Sequence, residues 1–185
     1  RPDMASHIIL GGARSGKSAF AERLARDSGL PVKVIATAEA LDDEMTLRIR
    51  RHQLDRPTGW NTIEQPTRLA DALRQHAHPG VFVIVDCLTL WLGNLMAGAE
   101  HLPAPADADA LPDLHEQRGA LLAQLPRIQG EVALVANEVG LGLAPETPLG
   151  RLFRDEAGRL NQMVASACRW VVFVAAGLPL VLKEG

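Results

Sequence analysis

Short runs rich in β-branched and other apolar residues stand at 8–10, 32–36, 81–86, 131–136 and 170–175. Val81-Phe82-Val83-Ile84-Val85 has no polar alternation, which predicts a strand buried on both faces, as in a parallel sheet. Between these runs lie longer segments whose apolar residues return every three or four positions, the helical spacing. They predict helices over 17–27, 41–54, 88–96, 114–125 and 148–168, and another marked by Leu69 and Leu73. In the second helix Leu41, Met45, Ile49 and His52 fall near one face. In the last, Leu149, Leu152, Phe153, Glu156, Leu160, Met163, Val164 and Ala167 form one broad stripe. Gly29, Pro31, Pro57, Gly59 and the turn His78-Pro79-Gly80 punctuate the pattern. A short strand is expected at 61–64. After Gly177 and Pro179 turn the chain, 180–182 reads as a short antiparallel edge. Residues 98–112 carry three prolines and two aspartates without periodicity, and read as a surface loop. Strands alternating with helices imply an α/β fold, a mostly parallel sheet and right-handed crossovers.

Composition narrows this picture without redirecting it. The 185 residues suit one domain spanning 1–185, with 1–5 as a tail. Apolar residues make up 47% and charged residues 22%, and the net charge of −3 gives no steering toward nucleic acid or an anionic membrane. Cys87 and Cys168 stand far apart, without disulfide or zinc-ligand spacing. No apolar run reaches about 18 residues, so no membrane span is expected. No basic-then-apolar leader precedes the first strand, so a cytoplasmic location is expected.

The first apolar run enters Gly11-Gly12-Ala13-Arg14-Ser15-Gly16-Lys17-Ser18, which matches the phosphate-binding pattern G-x-x-x-x-G-K-[ST]. Glycines let successive backbone N–H groups converge on an anion. Lys17 can reach the β- and γ-phosphates, and the Ser18 hydroxyl can serve Mg²⁺. The context is strand before and helix after, as the motif requires. Asp86, at the end of the unbroken run, sits where such proteins place the acid that holds Mg²⁺ directly or through water. Ligands in open α/β sheets bind beyond the carboxyl ends of the strands. Gly11, Thr37, Asp86, Asn137 and Glu138 therefore belong to one rim.

A nucleotide loop and a strand-end acid do not choose a reaction. The choice comes from Asp42-Asp43-Glu44-Met45, Arg48-Ile49 and His52, taken with the loop. Ile35-Ala36-Thr37-Ala38, Trp60-Asn61-Thr62-Ile63-Glu64, Asp86-Cys87-Leu88-Thr89, Asn94-Leu95 and Asn137-Glu138-Val139-Gly140 follow in order. Pro145-Glu146, Phe153-Arg154-Asp155 and Gly158-Arg159-Leu160-Asn161-Gln162 complete the set. In this ordered combination the chain resembles, over nearly its whole length, the bifunctional adenosylcobinamide kinase/adenosylcobinamide-phosphate guanylyltransferase family of cobalamin biosynthesis. The resemblance implies a RecA-like P-loop NTPase fold of three layers and two activities. One phosphorylates adenosylcobinamide with ATP or GTP. The other transfers GMP from GTP to adenosylcobinamide phosphate through a GMP-histidine, releasing pyrophosphate. It places the nucleophile on His52 and GTP contacts on Gly11 to Ser18, Ala36, Thr37, Ala38, Gln53, Leu54, Asp55, Arg56, Glu64 and Asp86. It also implies a homotrimer.

Arg48, Arg51 and Arg56 could balance the charge of the transferred phosphoryl, with Arg50 pointing elsewhere; Arg48, Arg50 and Arg51 could equally be a solvated helix face. His52 taken alone reads as a surface or packing histidine, and the resemblance makes it the nucleophile. His7, His76, His78, His101 and His115 read as ordinary. Trp60, Trp91 and Trp170 read as packing residues, and Glu138 as a turn residue or a helper of the kinase step. The rival functions are a small-metabolite kinase with a structural His52, and a nucleotide-dependent switch acting on a protein partner.

Overall fold

The computed structural model describes residues 5–40, 42–101 and 107–185, and leaves the side chains of Arg48 and His52 outside that set. Its strands are β1 (Ser6–Gly11), β2 (Val32–Ala36), β3 (Asn61–Glu64), β4 (Phe82–Asp86), β5 (Glu131–Asn137), β6 (Trp170–Ala175) and β7 (Leu178–Lys183). They form one sheet in the order β3-β2-β4-β5-β1-β6-β7, parallel throughout except for the antiparallel β6–β7 pair. The helices are α1 (Lys17–Asp27), α2 (Asp43–Asp55), α3 (Leu69–His76), α4 (Leu88–Leu95), α5 (Pro112–Gln124) and α6 (Pro148–Ala167). The expected α/β, RecA-like P-loop fold is present, with the acid-bearing strand β4 separated from the loop-bearing strand β1 by β5.

The two-residue side-chain period divides each central strand between two cores. Ile8, Val83, Val85, Val132 and Leu134 pack on one face under α3, α4, α5 and α6. Ile9, Phe82, Ile84, Ala133 and Val135 pack on the other, where Ala21 and Ala25 bring in α1. That two-sided burial is why these strands read as unbroken apolar runs. Trp91 is fully buried, and its indole N–H donates to the Thr67 carbonyl at 2.7 Å, satisfying its one polar atom. Glu156, 1% exposed inside α6, is paired with Arg118 of α5 at 2.7 Å and with Arg159 one turn along. The buried carboxylate thus joins two helices rather than standing alone.

Register decides where the site forms. Gly11 pairs with Asn137 on one side and Val174 on the other, while Ala36 lies between Glu64 and Asp86. The expected rim is therefore real.

Three sequence expectations need correction. Residues 98–112 are not simply a surface loop: Ala99–His101 and Ala108–Ala110 form 3-10 turns, and Ala99, Ala108 and Leu111 are buried. α5 already begins at Pro112, whose missing N–H costs nothing at a helix start, while 102–106 lie outside the described residues. Met163 leaves the α6 stripe and is 39% exposed, because Val164 and Leu160 hold the inward positions. Pro179 does not turn the chain; it pairs with Val174 on the edge strand, and the turn is Ala176-Gly177. An edge tolerates proline because its outer N–H positions need no ladder partner.

Candidate active site

The phosphate loop is built by backbone geometry. Gly16 caps α1 at φ 98°, and Arg14 takes φ 55°, a left-handed conformation uncommon outside glycine. The loop is tied from three directions. Glu138 N–H donates to the Gly11 carbonyl at 2.9 Å, Lys17 Nζ donates to the Gly12 carbonyl at 3.0 Å, and Gly177 N–H donates to the Ser15 carbonyl at 2.7 Å. A side chain at Gly11 would come within 2.6 Å of the Val174 carbonyl, so this position requires glycine. The N-terminus of α1 opens into a cleft of about 1020 Å³ lined by Ala13, Arg14, Ser15, Gly16, Lys17 and Ser18. A helix N-terminus with converging N–H groups favours an anion there. Burial lowers the pKa of Lys17, with Cys87 and Asp86 opposing the shift.

Helix α2 forms the opposite wall. Asp42 caps it, accepting from Met45 N–H at 2.7 Å, and Asp43 and Glu44 suit the positive end of its dipole. Glu44, Leu47, Arg51 and Asp55, spaced three and four apart, line the large cleft together with Asn137. Met45, Ile49 and Gln53 share a smaller pocket of about 190 Å³ with Ala36, Ala38, Arg56, Asp86 and Leu90. One helix thus serves two cavities. His52 lies in α2 between Arg51 of the first lining and Gln53 of the second; its side chain and that of Arg48 lie outside the described residues, as does Leu41. Arg50 lines neither cavity.

Arg56 and Asp86 join the two walls. Arg56 Nη2 meets Asp86 Oδ2 at 3.1 Å, and Nη1 donates to the Thr62 hydroxyl at 3.0 Å. Ser18, Arg56 and Asp86 line a further cavity of about 10 Å³ with Trp60. Thr37 is fully buried, and its hydroxyl is used internally: it donates to the Cys87 carbonyl at 2.6 Å and accepts from Cys87 N–H at 2.9 Å. Its side chain holds the end of β4 rather than facing the pocket. Asn94 supports the same corner, donating to the carbonyls of Thr37 at 2.7 Å and Pro66 at 2.9 Å. Thr89 accepts from Asn137 N–H at 2.7 Å.

The loop, Ala36, Ala38, Gln53, Asp55, Arg56 and Asp86 are thus gathered around two adjoining cavities. Leu54, 83% exposed, and Glu64, exposed at the end of β3, line neither. Glu138 makes a turn, its carboxylate accepting from Gly140 N–H at 2.8 Å. The part of Glu44 and Leu47 in the cleft was missed in the sequence, although their spacing to Arg51 and Asp55 carried the signal. The Arg56–Asp86 pair left no signal there, since 30 residues separate its members.

Mg²⁺ fits what is present. Ser18 and Asp86 share one cavity, a donor pair suited to an ion that keeps several waters and completes its shell from phosphate. Among the described residues, no group of three or more His, Cys, Asp or Glu could hold a metal, so the protein share of such a shell is small. No helix among the described residues is long and apolar enough to cross a membrane.

Comparison with known proteins adds identity to this geometry. A family profile described as cobinamide kinase / cobinamide phosphate guanyltransferase matches residues 7–182. The chain is 49% identical over 176 residues to the bifunctional adenosylcobalamin biosynthesis protein CobP of Pseudomonas aeruginosa, covering 95% of this chain and 96% of that protein. It is 39% identical over 179 residues to the bifunctional adenosylcobalamin biosynthesis protein CobU of Escherichia coli K12, covering 95% and 98%. Among solved structures, a Pyrococcus horikoshii OT3 protein aligns with a TM-score of 0.53 at 10% identity, over 97% of this chain and 86% of that one, a likeness of fold alone.

Proposed function

The chain belongs to the cobinamide kinase / cobinamide phosphate guanyltransferase family, and from that premise we propose that one site carries both reactions around a shared phosphate loop. The first transfers the γ-phosphoryl of ATP or GTP to the hydroxyl of adenosylcobinamide. The second transfers GMP from GTP to the resulting phosphate, giving adenosylcobinamide-GDP and pyrophosphate.

The observation that carries this reading is the double lining of α2. Arg51 and Asp55 border the cleft at the phosphate loop, and Met45, Ile49 and Gln53 border the smaller, more apolar pocket. A polyphosphate suits the first and a nucleoside the second, which puts the α-phosphoryl near the junction, where position 52 stands in sequence. A neutral imidazole has a ring-nitrogen lone pair available near pH 7. In guanylyl transfer, His52 attacks the α-phosphorus. An N–P bond forms, the P–O bond to the β-phosphate breaks, and pyrophosphate leaves with the electron pair. A phosphate oxygen of the acceptor then attacks the same phosphorus, and the N–P pair returns to the imidazole. Lys17 and the loop N–H groups balance the charge on the departing pyrophosphate or, in the kinase step, on the γ-phosphoryl. Arg51 borders that cleft as a further cation. Ser18 and Asp86 would hold Mg²⁺, which supplies charge neutralisation on the phosphate oxygens when bound. Gln53, Arg56, Ala36 and Ala38 would border the nucleoside. Leu54 and Glu64 reach it only if the walls close further. A homotrimer and a cytoplasmic location belong to the same proposal; sedimentation as a monomer at working concentration would remove the first.

The test is labelling with GTP carrying ³²P at the α-position. The parent protein is expected to acquire acid-labile, base-stable label. His52→Ala is expected to lose both the label and guanylyl transfer while still phosphorylating adenosylcobinamide. Absence of label on the parent would sink the covalent route, leaving a kinase, and label persisting in His52→Ala would sink the assignment of the nucleophile.

A further inference from the structure

The C-terminal strand β7 contributes no residue to either core. All six of its residues are exposed, among them Leu178, Leu180, Val181 and Leu182. It is nevertheless anchored at both ends. Lys183 Nζ donates to the carbonyls of Ala165 and Ser166 at 3.1 Å and Cys168 at 2.6 Å, closing the carboxyl end of α6. At the other end, the two-residue turn Ala176-Gly177 joins β6 to β7 with φ 51° and 77°. Two positive φ values in a two-residue hairpin loop define a turn whose hand matches strand twist. Its second amide, Gly177 N–H, donates to the Ser15 carbonyl in the phosphate loop at 2.7 Å. The turn also packs against the loop: a side chain at Gly16 would approach Gly177 Cα to 3.0 Å.

The Ser15 carbonyl belongs to the same peptide unit as the Gly16 N–H. In a planar trans peptide the two point in opposite directions. A carbonyl held toward Gly177 therefore turns the Gly16 N–H away from the hairpin, and Ser15 and Gly16 border the cleft, whose lining includes neither Ala176 nor Gly177. The Ser15 side chain does not fix this peptide, since its hydroxyl is buried without a hydrogen-bond partner among the described residues. Two further bonds lie on the flanking peptides, from Ser15 N–H to the Gly12 carbonyl at 3.3 Å and from Phe20 N–H to the Gly16 carbonyl at 3.0 Å, and neither uses the Ser15 carbonyl or the Gly16 N–H.

We propose that the β6–β7 hairpin is a positioning element of the phosphate loop, with the Gly177 amide orienting the Ser15–Gly16 peptide so that Gly16 N–H faces the nucleotide's polyphosphate. This rests on the reading that the loop holds the β- and γ-phosphates. Without the tie, the peptide can rotate and turn a carbonyl oxygen toward the anion. The hairpin acts on the phosphates through the loop and leaves the nucleoside pocket alone.

Cys168 allows a test that removes a single donor. A synthetic segment 168–185 can be joined at Cys168 to residues 1–167, with glycolic acid replacing Gly177 so that an ester oxygen stands where the N–H was. The full-length all-amide product of the same ligation is the control. The ester protein is expected to bind GTP about tenfold more weakly than the control, with guanosine affinity unchanged, as measured by calorimetry. GTP affinity equal in the two proteins, or guanosine weakened as much as GTP, would overturn the proposal. A control that binds no GTP would remove the functional reading and this inference with it. Recombinant variants give a second readout. Ala176→Val, β-branched at φ 51°, is expected to raise the GTP KM selectively, and Ala176→Asn, suited to that turn position, to keep the parental value. Equal behaviour of the two would count against the hairpin's role.

Discussion

Lys17, the first residue of α1, is 8% exposed, whereas across the same cleft no described residue of α2 is buried. The contrast extends to how each wall is attached. The phosphate loop receives bonds from β5's end, from its own lysine and from the β6–β7 turn. Helix α2 exposes Leu47 and Leu54, and at its carboxyl end Arg56 ties it to Asp86 and Thr62. A loop that must hold the same phosphates in two reactions gains from being fixed in advance. A helix bordering two cavities, with few buried apolar contacts, belongs to the low-stability end of the fold, where ligand-dependent rearrangement costs least.

The contrast can be broken most strongly from its rigid side. Lys17→Met should lower kcat/KM of both kinase and guanylyl transfer by about 10²–10³, since both use the one cradle. A loss confined to a single reaction would show that the two do not share the loop. On the other side, Arg56→Met removes the carboxyl-end tether. It should cost about 1–2 kcal/mol of stability, the pair being partly exposed. In hydrogen exchange it should speed α2 amides while leaving α1 amides protected, and uniform acceleration would dissolve the contrast. The smallest effect is in pH. Burial lowers the Lys17 pKa from its ordinary 10.5, so its proton is lost earlier on raising pH than in a solvated lysine. GTP affinity of the free enzyme should therefore weaken as pH rises, starting below 10.5, and Lys17→Met should flatten that limb. A parental profile that stays flat to pH 10.5 would contradict it.

Much of the fold was legible because its cause is periodic. The run from Val81 to Val85 announced a strand buried on both faces, and the structure sends Val83 and Val85 to one core and Phe82 and Ile84 to the other. Residues 98–112 were misread because burial of Ala99, Ala108 and Leu111 follows no period. Pro179 was misread because proline marks turns in general, while here the turn is made by an alanine and a glycine just before it. In the site, the loop at Gly11 to Ser18 was legible as a local motif. Thr37 was legible as a residue of the rim, but the closing of its hydroxyl on Cys87 was not.

The sequence by itself determined what local pattern can encode: strand and helix positions, the phosphate loop and its lysine, and the family with its two activities. Tertiary structure decided the pairing of Arg56 with Asp86, the closure of Thr37 on Cys87, and the bond from Gly177 to Ser15. These links span 30, 50 and roughly 160 positions of chain. Spacing along a sequence specifies faces of single elements. Which strand end meets which loop is set by sheet order and register, and those come into being only when the two cores pack.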